Sequence, residues 1–159
     1  MKHIKKFEEV QDEMYIEYHD IDDILKAYLE CALWIEEEND DLESKTIYDI
    51  TEKSKKEAIE QIEWFVDSAG EALNNIEDSS IGHDLWLTRN GHGAGFFDKN
   101  YDKDIIDFLL FLCDELGEAY LHVIDDKFEI NTYGNYKEVD IEEHKKDMKF
   151  KRDLKKYNL

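Results

Sequence analysis

At 159 residues, 42% hydrophobic and 13% aromatic, the chain is long enough for one domain with a buried core and too apolar to be disordered. Its 41 Asp and Glu against 20 Lys and Arg give a net charge of -21, which opposes direct binding to nucleic acid or to membrane surfaces. No apolar run approaches the roughly eighteen residues of a membrane span, and Met1 to Val10 lacks the apolar centre of a signal peptide, so a cytoplasmic protein is expected.

Taken in order, residues 1–19 mix charged and aromatic side chains and predict a short helix or strand. From Asp20 the apolar residues Ile21, Ile24, Leu25, Tyr28, Leu29, Ala32, Leu33 and Ile35 recur at three and four, the signature of a helix burying one face. The acidic run from Glu36 to Asp41 would stack like charges if the helix continued, and reads as a loop. A second, longer helix is expected from Ile50 to Glu77, capped by Asp49 or Thr51, with Gly70 inside it allowing close packing. A third, Ile105 to Leu116, is apolar nearly all round. Asp102 or Asp104 opens it and Gly117 is its C-cap. Ala119 to Ile124 and Lys127 to Ile130 form a hairpin across Asp125-Asp126, and Asp140 with Glu143 starts a C-terminal helix in a capping-box arrangement.

Between the second and third helices lies Ile81 to Asp98, IGHDLWLTRNGHGAGFFD, with four of the seven glycines and two of the six histidines. Asp84 to Thr88 alternates polar and apolar residues as a half-buried strand does, the glycines suit a constrained turn, and Phe96-Phe97 can begin a return strand. The expected fold is therefore α+β: several helices packed on a small antiparallel sheet built from two hairpins. No linker divides the chain. Residues 1–143 form a single acidic domain carrying -26, and residues 144–159, with seven Lys or Arg against two Asp, form a basic C-terminal helix or tail.

The chemistry concentrates in the same stretch. His83, Asp84, His92 and Asp98 are residue types that zinc accepts, and two strands joined by a glycine loop could bring them to one point, with His122 or Cys113 able to supply a missing ligand. Alternatively, His83 caps a turn and His92 hydrogen-bonds within the loop. If all four positions are filled by protein, the zinc is structural rather than catalytic. Thr88-Arg89-Asn90 could donate to an anion, or Arg89 could pair with a neighbouring acid to hold the turn. There is no GxSxG elbow, the glycines have neither phosphate-loop ending nor spacing, and Cys31 and Cys113, far apart and without CxxC spacing, read as core thiols.

The run GHDLWLTRNGHGAGFFD resembles the signature of a family of small bacteriophage proteins, with Phe97 standing where that family commonly has Trp. The resemblance implies a phage origin and no reaction. Small acidic phage proteins of this kind include inhibitors of host defence, among them type II anti-CRISPR proteins. The function expected is thus a phage-encoded acidic binding protein, not an enzyme. It would inhibit a host nucleic-acid-handling protein such as the CRISPR nuclease Cas9 by covering a basic surface and blocking nucleic-acid loading. The alternative is a metal-dependent hydrolase or nuclease using His83 and His92. The acidity itself could also serve solubility alone.

Overall fold

The computed structural model describes residues 15–92 and 95–147, so the expectations for residues 1–14 and for the tail beyond 147 lie outside the described residues. Helix α1, Ile21–Ile35, begins where Asp20 accepts a hydrogen bond from the Asp23 N–H at 3.2 Å. Helix α2, Glu52–Ala69, begins at Thr51, whose hydroxyl accepts from the Ser54 N–H. It is shorter than the expected 50–77. Gly70 sits at φ 54°, outside the helical region, and turns the chain into a 3₁₀ segment, Gly70–Leu73.

The largest correction concerns the glycine-rich stretch. Asp78–Arg89 is an α-helix, α3, and Phe96–Asp98 is a single 3₁₀ turn, so the first of the two expected hairpins is absent from the described residues. Its alternation misled for a physical reason: Leu85, Trp86 and Leu87 are all buried, as are Ile81, Gly82, Asp84 and Arg89. A helix enclosed on most sides carries no one-sided apolar stripe, and five residues are too few to separate its period from that of a strand.

Helix α4, Lys103–Leu116, ends at Gly117 (φ 75°) as expected. Strands β1, Ala119–Ile124, and β2, Lys127–Thr132, pair antiparallel with Leu121 opposite Ile130 and Val123 opposite Phe128, giving a two-stranded sheet. Residues 141–147 form the last described helix, opened by the Glu143 N–H donating to the Asp140 carboxylate at 2.9 Å. His144 stacks face to face on Phe111 of α4, ring centroids 3.6 Å apart. The α+β class therefore holds with one hairpin rather than two. Among the described residues no helix is long and apolar enough to cross a membrane.

One cluster of buried side chains joins these elements: Ile24 and Leu29 of α1, Ile62 and Phe65 of α2, Ile81 and Leu85 of α3, Leu109 and Leu112 of α4, and Phe128 of β2. At its centre α3 lies directly on α1. A Cβ added to Gly82 would stand 2.8 Å from the backbone nitrogen of Tyr28 and nearer still to the carbonyl oxygen of Ile24, so only glycine permits this approach. Trp86, one turn on, meets the Tyr28 ring edge to face at 5.2 Å.

Candidate functional site

Most of the distinctive sequence GHDLWLTRNGHGAGFFD is used in building the fold. Arg89, 4% exposed, donates through Nε to the Gly117 carbonyl and through Nη2 to the Leu116 carbonyl, both at 2.7 Å. Its Nη1 donates to Gln61 Oε1 at 2.6 Å and to the Tyr28 hydroxyl at 2.9 Å. One guanidinium thus fastens the end of α3 to α1, to α2 and to the C-terminus of α4. No carboxylate pairs with it among the described residues, which corrects the expectation of an acidic partner. The negative end of the α4 dipole and its last carbonyls take that place. Asn90 adds a second tie by accepting from the Ala119 N–H at 2.8 Å, and Thr88 Oγ1 accepts from the Phe96 N–H at 2.9 Å.

The expected metal residues divide. His83 stands on the outer side of α3 with its side chain 46% exposed, and Asp84, next in sequence, is buried to 1%. His83 Nδ1 lies 3.5 Å from Asp84 Oδ1. His92 belongs to the exposed loop beyond α3, where its backbone N–H donates to the Leu87 carbonyl at 2.9 Å. Asp98 closes the 3₁₀ turn, and its side chain lies outside the described residues. The structure therefore brings His83 and Asp84 together, but on a helix and not across a hairpin. Six helical residues, about 9 Å of rise, separate His83 from the helix end that precedes His92. His122 lies on β1 beside Glu129, and Cys113 is buried in α4. Among the described residues no three His, Cys, Asp or Glu side chains are grouped to hold a metal ion.

Around His83 and Asp84 is a cleft of about 510 Å³ between α1 and α3. Glu30, Cys31 and Trp34 form the α1 side, His83 and Asp84 the α3 side, and Lys99 reaches over from the loop after the 3₁₀ turn. Trp34 is 57% exposed, and its ring is tilted 32° to that of His83 at 6.2 Å. Asp84 is the only buried carboxylate among the described residues, and its Oδ2 accepts no hydrogen bond. The Lys99 ammonium stands 3.7 Å from that oxygen, beyond hydrogen-bond distance. Burial raises the Asp84 carboxyl above the usual aspartate range, against the opposing pull of Lys99 and His83. The Cys31 thiol is pushed up to about 12, first by burial and then by the Asp84 charge. At neutral pH it is protonated and a poor nucleophile.

Trp34, Glu30 and Lys99 were not singled out by sequence reasoning. A usable signal was present: Trp34 falls off the apolar stripe of α1, on its acidic side, where a large aromatic has no core to enter.

Among the described residues the exterior is predominantly acidic. The carboxylates of Asp22, Asp23, Glu30, Glu37 and Glu38 on and after α1 are exposed, as are Glu57, Glu60, Glu63 and Asp67 on α2. Lysine pairs with carboxylates at Lys99–Asp84, Lys103–Asp107 and Lys145–Glu142, leaving most of this charge uncompensated among the described residues. No family model, curated protein or solved structure matches the chain.

Proposed function

We propose that the chain is a phage-encoded acidic binding protein that engages the basic, nucleic-acid-binding surface of a host defence protein, such as a CRISPR nuclease of the Cas9 kind, and blocks its loading. The observation that carries this reading is the placement of the carboxylates: among the described residues with described side chains all but Asp84 are at least partly solvent-facing, many of them on α1 and α2, and few are in ion pairs with lysines. Fixed carboxylates can occupy Lys and Arg positions that otherwise hold phosphates, and a field of one sign speeds encounter with such a surface. The two thiols, both pushed up by burial, are poor nucleophiles. The phage assignment and the nuclease target rest on the resemblance of the Gly82 to Asp98 run.

The test is competition. Guide RNA bound to the nuclease should be excluded when the protein is added first, and a charge-reduced variant with Glu57, Glu60 and Glu63 changed to Gln should exclude it less well. Guide loading unaffected by an excess of the protein would end the loading-block reading. Turnover of nucleotides that appears only with added divalent metal would favour the hydrolase alternative.

A further inference from the structure

The Asp84 cleft has a feature that an acidic exterior does not explain. A carboxylate removed from water normally has its oxygens hydrogen-bonded, because an unsatisfied buried charge is costly. Among the described residues Asp84 Oδ2 has no such bond, and the cation over it, Lys99 Nζ, is 40% exposed and stands off at 3.7 Å. The position is polarised for a cation and only loosely filled by one of the chain's own. The cleft wall beside it is Trp34, an exposed indole, and Glu30 at the rim adds a second negative charge.

These groups select among cations. For a divalent metal, Asp84 and His83 adjoin, but among the described residues no three His, Cys, Asp or Glu side chains are grouped to hold the ion. An ammonium could satisfy one oxygen but has no planar face to lay on an indole. A guanidinium does both, since it donates in a fork to a carboxylate and stacks on an aromatic ring. The cleft, about 510 Å³, lies within the roughly 300–1,000 Å³ of clefts that hold small ligands.

We infer that the cleft between α1 and α3 receives an arginine side chain of the basic partner, which displaces Lys99 from Asp84 and stacks against Trp34. This rests on the acidic-binding reading above and adds to it a single anchoring point. The diffuse carboxylates supply steering, and the cleft supplies choice of side chain, in the manner of an interface whose energy is concentrated in a few desolvated groups.

Three peptides test it against the full-length protein: a lysine-rich peptide with one central arginine, and the same peptide with lysine or with uncharged citrulline at that place. The arginine peptide should bind about tenfold or more tightly than either other, and should shift the Trp34 indole resonance. Asp84→Asn and Trp34→Ala should erase the preference, and Lys99→Gln should increase it. Glu63→Gln, an exposed carboxylate on α2, should weaken all three peptides alike and leave the preference intact. Equal, salt-sensitive binding of the three peptides overturns this inference while leaving the acidic-binding reading in place. No binding of any peptide removes that reading and this inference with it. Free arginine amide binding as tightly as the arginine peptide would reassign the cleft to a small guanidinium compound.

Discussion

Arg89 Nη2 and the carbonyl oxygen of Leu116 meet at 2.7 Å, joining the last residue of α3 to the last residue of α4. The same side chain reaches Gly117, Gln61 and Tyr28, so four helices and the approach to β1 meet at one buried cation. Lysine keeps the charge but lacks the fork, and would leave two or more of these acceptors without a donor. Arg89→Lys should therefore cost about 3–5 kcal/mol, read as a loss of urea-unfolding free energy. A loss near zero would mean that the four bonds contribute little beyond what water supplies.

Gly82 marks the tightest contact between α1 and α3. Gly82→Ala must push the helices apart at the Ile24 carbonyl and the Tyr28 nitrogen, and backbone cannot swing aside as a side chain does. Despite the better helix propensity of alanine, the variant should lose about 1–3 kcal/mol, or a few degrees or more in melting temperature. Calorimetry decides the sign, because propensity alone predicts a gain.

The outcome at these two residues shows what could be read in advance. Helix α1 was legible from its one apolar face after Asp20, α4 from a largely apolar run, Ile105 to Leu116, closed by Gly117, and the β1–β2 hairpin from its Asp125-Asp126 turn. Helix α3 was not, since its surroundings bury it on most sides and remove the period that identifies a helix. The end of α2 was missed because Gly70 was weighed as a packing glycine, whereas its positive φ makes it a stop. At the site, Asp84 and His83 were chosen for their chemistry and do adjoin, but Trp34 and Lys99 come from distant parts of the chain. The α1–α3 packing permitted by Gly82 puts Trp34 beside Asp84, and the 3₁₀ turn Phe96–Asp98 carries Lys99 there.

Asp84 should cost the protein stability. Its folded carboxyl is raised above the ordinary aspartate range, so the penalty is absent at low pH, where folded and unfolded forms are both protonated. It grows as pH rises through the ordinary range and is complete above the raised folded value. Asp84→Asn should therefore melt a few degrees higher than the natural chain at neutral pH, with the two curves converging as pH falls toward the ordinary aspartate range. A variant that melts lower at neutral pH would show that Lys99 and His83 more than offset the burial.

The zinc expectation and the arginine cleft make competing use of Asp84. With His83 and Asp84 on one helix and His92 beyond its end, we expect chelator treatment to leave the melting temperature unchanged and elemental analysis of untagged protein to find well under one zinc per chain. A full equivalent of zinc, lost together with stability in His92→Ala, would return the site to a structural metal centre.

The most direct test of the account is the salt dependence of binding to a guide-free CRISPR nuclease, followed by titration calorimetry at several salt concentrations. If surface carboxylates occupy phosphate positions, log affinity should fall linearly with log salt, by analogy with counterion release about a thousandfold between about 50 and 200 mM for six or more such contacts. An affinity that holds steady across that range would contradict the account and point to an apolar contact surface in place of the acidic one.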